Sequence, residues 1–301
     1  KLRLMPRPRW NWQDSGVRKI MRLMVPALFG SSVAQINLLL DTLIASFLIT
    51  GSVSWLYFSD RLMEFPLGVF GIAIATVILP SLSRRHAEAD SSTFAATLDW
   101  GMRWSILIAV PAMLALVLLP GPLLTTLFQY GEFSEHSVYM ASQSLIAYGL
   151  GLPAFVLIKV LAPGFYSRQD TKTPVKVGVI AMVTNMAFNI ALVFPLAHVG
   201  LALATTLSAY VNAGLLFMLL RRDGAFQAQS GWGLFGLRIL LATAVMAALL
   251  FWFTPAPADW IAAGAGDRVS WMFAVVLGGS GAYLLSLLLL GVRPRQLMGR
   301  L

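Results

Sequence analysis

The sequence predicts an all-α, multi-pass membrane protein with about eight transmembrane helices. Of its 301 residues, 58% are hydrophobic and only 12% are charged, and the mean hydropathy is +0.76. Soluble domains carry about twice that share of charged residues. The third observation is the length of the apolar runs, because each comes close to the roughly 20 residues that a helix needs to cross a bilayer.

Eight apolar runs follow one another, and each predicts one span. Their approximate limits are 17–49, 53–83, 97–120, 138–162, 174–196, 199–220, 234–254 and 269–292. As a helix the first would reach about 50 Å, beyond a hydrocarbon core of about 30 Å, so it must tilt, bend or begin outside the membrane. Pro26 and Gly30 offer a place to bend. The very short loops at 50–52 and 198–200 predict two helical hairpins.

Basic residues lie at alternate loops and predict the orientation. Of the 22 Lys and Arg residues, 19 fall on one side of the predicted spans. Because basic loops stay in the cytoplasm, both termini of the chain are expected to be cytoplasmic. A soluble protein with eight buried helices would not show this alternation. The formal charge of +9 is explained in the same way, and no nucleic-acid partner is expected.

A polar, glycine-containing segment at 223–233 separates the first six spans from the last two. Such a composition is typical of a linker. We therefore predict a modular order along the chain: a cytoplasmic segment (1–16), a six-helix transport lobe (17–222), a cytoplasmic linker (223–233), a two-helix unit (234–292) and a cytoplasmic tail (293–301).

The second span carries three ionisable side chains within five residues, Asp60, Arg61 and Glu64. A charge at the centre of a membrane helix costs about 2.5–3.5 kcal/mol on insertion scales and rarely faces lipid. Asp60 and Glu64 share a helical face, and Arg61 can reach Glu64. Two interpretations stay open: an ion pair that fixes helix packing, and charges that line a polar cavity. Pro66 predicts an interruption of the helix beside them.

A second group of polar residues is spread over three spans. Asp41 lies in the first span, one turn after Asn37; Asn185 and Asn189 share a face of the fifth; Thr205 lies in the sixth. These oxygens suit Na⁺, or they form interhelical hydrogen bonds, which is the more ordinary use of such residues. For Asp41, a position near the outer interface is a further alternative.

Lys159 is the remaining charge deep in a span, and its side chain either snorkels to the cytoplasmic surface or faces a polar interior. The sequence has no H-E-x-x-H, G-x-S-x-G or P-loop motif, its three histidines are far apart, and it has no cysteine. We expect no enzyme activity, no catalytic residue, no metal centre and no organic cofactor. Coupling to Na⁺ or to the membrane potential remains open.

Four blocks carry a resemblance to a known family. They are GSVSWLYFSDRLMEFP (51–66), LPSLS (79–83), LFQYG (127–131) and KVLAPGFYSRQDTKTPVK (159–176). Through them the chain resembles the MurJ (MviN) family, the lipid II flippases of the MOP exporter superfamily, from about residue 17 to its end. That family has fourteen spans, and this chain resembles spans seven to fourteen, preceded by the connection between the two lobes.

The resemblance implies a function in peptidoglycan biosynthesis, and hence in the cell wall and cell shape. Such a protein moves lipid II, an undecaprenyl-pyrophosphate-linked precursor, from the cytoplasmic to the periplasmic leaflet of the bacterial inner membrane by alternating access. Its implied partners are lipid II, membrane lipids and an N-terminal lobe. The last two helices correspond to a groove thought to receive the lipid tail.

The resemblance also assigns residues to the substrate. Asp60, Arg61 and Glu64 correspond to charged residues that line the family's central cavity, Arg61 to a functionally required arginine, and Lys159 to a charged position in the same lobe. With Asp41, however, the charges deep in the spans sum to −1, whereas a diphosphate favours positive partners. The family's other cavity arginines belong to the N-terminal lobe, so we expect this half alone to be inactive.

Two alternatives remain at this point. The first is a cation-coupled exporter of drugs or of another polyprenyl-linked sugar from the same superfamily. The second is a membrane scaffold that recruits cell-wall enzymes and transports nothing.

Overall fold

The computed structural model of the chain describes residues 14–292. Over these residues the secondary structure is entirely helical. The helices are α1 (Ser15–Ser46), α2 (Ser52–Pro66), α3 (Ile72–Ala87), α4 (Ser91–Leu118), α5 (Pro120–Phe128), α6 (Glu135–Tyr166), α7 (Lys172–Arg222), α8 (Trp232–Phe253), α9 (Pro257–Ala262) and α10 (Ala265–Leu289). The expected tail at 293–301 and most of the expected segment at 1–16 lie outside the described residues.

Seven helical runs between residues 14 and 292 are long and apolar enough to cross a membrane. One of them, α7, has 51 residues and turns back at Ala197, where φ is 48° and ψ is −129°. A positive φ is uncommon for a residue other than glycine, and it ends a regular helix. The two halves, α7a (172–196) and α7b (198–222), correspond to the fifth and sixth predicted spans. The protein is therefore a multi-pass membrane protein with eight membrane-crossing segments, as predicted.

The turn between α7a and α7b needs a glycine at position 200. A β-carbon on Gly200 would overlap the backbone carbonyl of Leu192, which no side-chain rotation can relieve. The chain therefore returns in a few residues, and the polar faces of α7a and α7b come to lie side by side.

The predicted interruption after the charged cluster is a π-helical turn, Leu67–Gly71, which directly follows Pro66. Proline has no N–H to donate and its ring crowds the carbonyl one turn earlier, so a regular α-helix cannot pass through it unchanged. A π turn absorbs this mismatch. α2 and α3 thus remain one continuous run, Ser52–Ala87.

α6 lies at the centre of the helical bundle. In its most apolar window 56% of the residues are buried, against 7% in α1, which lies at the periphery. Two apolar clusters surround α6, one about Leu145 and one about Val160. A third cluster joins α4 to α8 and α10, and Leu107, Ile239 and Met246 lie within it. The last two long helices therefore pack against the outer side of α4.

Candidate functional site

The charged cluster forms one exposed face of α2. Arg61 Nη1 donates to Glu64 Oε2 at 2.7 Å, and the guanidinium carbon lies 5.0 Å from the centre of the Tyr57 ring. The Arg61 and Glu64 side chains are 55% and 48% exposed. Asp60 is half-buried beside them. The structure thus brings together the three charges predicted from the sequence.

The opposite face of α2 explains why this face turns away from the bundle. Ser59 is fully buried and donates to the backbone carbonyl of Ala141 on α6 at 2.7 Å. Leu62 and Met63 are also buried. With this register fixed, Tyr57, Arg61 and Glu64 must point outward. The hydrogen bond between Arg61 and Glu64 stays within α2, so the pair does not fasten α2 to another described helix.

The second polar group closes into one part-buried network around Asp41. Asn189 Nδ2 donates to Asp41 Oδ1 at 2.6 Å, and Asn37 Nδ2 donates to Asp41 Oδ2 at 3.3 Å. Thr205 Oγ1 lies 3.4 Å from Asp41 Oδ2 and 3.1 Å from the backbone carbonyl of Leu201. The network therefore joins α1, α7a and α7b through a single carboxylate.

Asn185 completes this network from α7a. Its amide fits best with the nitrogen facing Asp41 Oδ1 at 3.2 Å and Asn37 Oδ1 at 3.0 Å, and with the oxygen accepting from Thr205 Oγ1 at 3.3 Å. Asn185 and Asn189 are both buried, and Asn189 Oδ1 has no hydrogen-bond partner among the described residues. A buried amide oxygen without a donor is costly. It is also a ready ligand for a cation.

Lys159 lies apart from the charged face of α2. It lines a cavity of about 580 Å³ between α1, α6 and α7, together with Asn37, Asn185 and Thr205. Among the described residues Lys159 forms no hydrogen bond or ion pair. Cavities of this volume hold small molecules, ions and water. The structure therefore places Lys159 in the wall of the same cavity as three members of the Asp41 network.

Sequence reasoning missed the contribution of Tyr57. The signal was available, because Tyr57 lies four residues before Arg61 and seven before Glu64, a spacing that places all three side chains on one helical face. The Arg61 guanidinium stacks over the Tyr57 ring, and this cation–π contact helps to fix its position on the exposed face.

Comparisons with known proteins find relatives in sequence and in fold. A family model described as "Lipid II flippase MurJ" matches residues 1–262. A probable lipid II flippase MurJ of Vibrio cholerae is 52% identical over 297 residues, which cover 99% of this chain and 57% of that protein. The counterpart in Haemophilus influenzae is 50% identical over 301 residues, covering 98% and 59%. The chain thus spans somewhat over half the length of these curated relatives.

Solved structures show the same fold at low sequence identity. A lipid II flippase MurJ in an inward closed conformation superposes with a TM-score of 0.72 at 21% identity, covering 92% of this chain and 55% of that one. An outward-facing multidrug resistance MATE transporter of the MOP superfamily reaches a TM-score of 0.62 at 16% identity, covering 90% and 63%.

Proposed function

We infer the function of this chain from its family, because it belongs to the MurJ family of lipid II flippases. We propose that it forms one half of a flippase that moves the undecaprenyl-pyrophosphate-linked peptidoglycan precursor from the cytoplasmic to the periplasmic leaflet of the bacterial inner membrane. The basic loops would lie in the cytoplasm. The observation that carries the proposal is the exposed face of Tyr57, Arg61 and Glu64.

This face is incomplete as a binding site. It presents a guanidinium that pairs bidentately with phosphate oxygens, but it also presents two carboxylates, which repel a diphosphate. A second, positively charged surface is needed opposite α2, and the other lobe of the family would supply it. Water between the lobes would keep Arg61 and Glu64 hydrated, which the cost of charges in lipid requires.

Arg61 and Glu64 would exchange partners during transport. In the state described by the structure Glu64 holds the guanidinium through one contact of 2.7 Å. A diphosphate between the lobes would compete for the same donors, and the released Glu64 would be free to repel the substrate toward the exit. Asp60, half-buried beside them, would bias the same exchange.

The test is lipid II translocation by the full-length protein in vesicles, together with growth of cells that carry only the variant. Arg61→Ala is expected to abolish both, and Arg61→Lys to restore little, because an ammonium lacks the planar fork of a guanidinium. Arg84→Ala is the matched control, since Arg84 is also an exposed helical arginine paired to a glutamate. Normal growth on Arg61→Ala alone would refute the assigned role.

The rival functions predict other results. A drug exporter predicts altered drug sensitivity with viability retained when the protein is depleted, whereas a flippase predicts accumulation of lipid II in the inner leaflet. A scaffold predicts that no labelled lipid crosses vesicles even when both lobes are present.

The Asp41 network favours coupling of this transport to Na⁺. A carboxylate, a threonine hydroxyl, amide oxygens and the nearby carbonyl of Leu201 are hard oxygen donors of the kind that alkali cations take. The orphaned Asn189 Oδ1 fits the group as well. When bound, the cation would supply positive charge that holds α1 against α7. The membrane potential would add a driving force of about 2.3 kcal/mol per charge per 100 mV.

Thermal unfolding of the full-length protein in detergent tests this coupling. Na⁺ is expected to raise the melting temperature relative to choline at equal ionic strength, and Asp41→Asn to remove that increase. An equal increase in Asp41→Asn would show that the cation binds elsewhere. Lys159 lines the cavity beside the network. That Lys159 also contacts the substrate stays a prediction.

A further inference from the structure

The seam between α4 and the start of α8 is built around a buried carboxylate. Asp99 on α4 is 2% exposed. Its Oδ1 accepts from Trp232 Nε1 at 2.7 Å and from Gln229 N at 3.1 Å, and its Oδ2 accepts from Arg103 Nε at 2.8 Å. Asp99 therefore fastens the segment before α8 to α4. Both of its carboxylate oxygens accept hydrogen bonds, and one of them pairs with the charge of Arg103.

Arg103 belongs to the same seam but keeps part of its guanidinium free. Its Nη2 donates to the carbonyls of Ser230 at 3.0 Å and Gln229 at 3.4 Å. Its guanidinium carbon lies 5.0 Å from the Trp232 ring and 5.4 Å from the Phe235 ring. Within residues 14–292, Nη1 makes no hydrogen bond. Arg103 is thus held by Asp99 and by two backbone carbonyls, and it lines the neighbouring cavity.

Arg238, one turn after Phe235, is the second arginine of this cavity. Its single hydrogen bond to the described residues is long, 3.4 Å from Nη1 to the carbonyl of Gly291 at the end of α10. No carboxylate among those residues forms an ion pair with it. The charge of Arg103 is balanced by Asp99. Among the described residues that line the cavity, Arg238 is therefore the one cation without an ion-pair partner.

The cavity itself has a volume of about 380 Å³ and lies between the start of α4, the start of α8 and the end of α10. Arg103 and Arg238 line it together with apolar side chains, Leu234, Phe235 and Val292. Trp100 stands in the same wall. Tryptophans and basic side chains at the ends of membrane helices lie at the level of the lipid headgroups.

We propose that this cavity binds the phosphate of an anionic phospholipid, with phosphatidylglycerol as the representative ligand. The free donors of Arg103 Nη1 and of Arg238 would take the phosphate oxygens, and the apolar walls would take the glycerol ester. A phosphate held this way bridges α4 to α8. The lipid would therefore strengthen the attachment of the last two helices to the bundle.

The test measures lipid binding by the full-length protein with native mass spectrometry in detergent. Phosphatidylglycerol is expected to bind in preference to phosphatidylcholine. Arg238→Gln is expected to weaken that binding about fivefold, as the loss of one arginine near the headgroup predicts, and Arg238→Lys is expected to retain most of it. Arg222→Gln is the matched control, because Arg222 is an exposed arginine at the end of α7 and lies outside the cavity.

Two competitors identify the source of the phosphate. Millimolar inorganic phosphate is expected to leave phosphatidylglycerol bound, because it lacks the glycerol ester, and lipid II is expected not to displace it. Displacement by either one would overturn the assignment to a phospholipid. Equal losses in Arg238→Gln and Arg222→Gln, or no preference over phosphatidylcholine in the unaltered protein, would also overturn the proposal.

These readouts do not depend on transport. The preference of the unaltered protein for phosphatidylglycerol keeps the proposal testable even if Arg238→Gln does not fold. Failure of lipid II translocation would refute the flippase proposal and leave this site standing, and loss of the site would leave the Arg61 assignment standing.

Discussion

The charged face of α2 and the network around Asp41 accommodate carboxylates within membrane-spanning helices in opposite ways. Both place carboxylates in membrane-spanning helices. The network is closed, because Asp41 is surrounded by amide and hydroxyl groups from α1 and α7 at 2.6–3.4 Å. The face of α2 is open, since about half of the Arg61 and Glu64 side chains remains exposed. One site is complete within this chain, and the other requires a partner surface.

Because of this difference, variants in the network should affect stability, and variants in the exposed face should affect transport. The groups of the closed network are at least half-buried with their partners, so removing one leaves the others unsatisfied and destabilises the fold. An exposed ion pair contributes little to stability. Variants in the two regions should therefore diverge when stability and transport are measured on the same preparations.

The largest effect on stability is expected for Asn189→Leu. This change removes the 2.6 Å donor of Asp41 Oδ1 and leaves a half-buried carboxylate short of a partner, at a cost of about 1–3 kcal/mol. A clearly lower melting temperature in detergent is expected. Asn212→Leu is the control, because Asn212 lines the cavity beside the network, together with Asn185 and Thr205, and has no hydrogen bond among the described residues. Equal melting temperatures for both variants would contradict a closed network.

Glu64→Gln should show the reverse pattern. It keeps the size of the side chain but removes the charge that holds Arg61 at 2.7 Å. Lipid II translocation is expected to fall about tenfold, the loss of one charge-assisted contact, while the melting temperature stays within a degree or so of the unaltered protein. A large drop in melting temperature with transport intact would assign Glu64 to packing instead.

A smaller effect is expected for Tyr57→Ala. The ring lies 5.0 Å beneath the Arg61 guanidinium, and an exposed cation–π contact of this kind changes an equilibrium by about two- to fivefold. Translocation should fall by that factor, and Tyr57→Phe should restore it because the ring is kept. No change in Tyr57→Ala would show that Arg61 is positioned without its neighbour.

The membrane-spanning architecture was predictable because hydropathy and turn chemistry are local. The spacing of residues also showed that Asn185 and Asn189 share a face of one helix and that Arg61 can reach Glu64. The short helices α5 and α9 escaped prediction, since nine and six residues produce no span-length signal.

The spacing of residues along a helix does not predict which residues of other helices they contact. The resemblance assigns Lys159 to the substrate together with Arg61, and that assignment stays a prediction. Spacing could not show that Lys159 lines a cavity with Asn37 and Asn185, because the packing of α6 against α1 and α7 brings these residues together. The i, i+4 spacing of Asp99 and Arg103 did not predict that they belong to a site. Their importance comes from Trp232 and Gln229, more than 120 residues away.

The central claim is that the exposed face of Arg61 and Glu64 lines a water-filled space between this lobe and a second lobe. Gly68 lies one turn after Glu64, and a β-carbon there meets open space, so Gly68→Cys can be introduced with little strain in a cysteine-free full-length protein. Gly281→Cys on α10, also in open space and flanked by exposed leucines, is the lipid-facing control. Reaction of intact membranes with a charged, membrane-impermeant thiol reagent is the measurement. Fast labelling at position 68 with none at position 281 is predicted, and an unreactive thiol at position 68 in every condition would contradict the account.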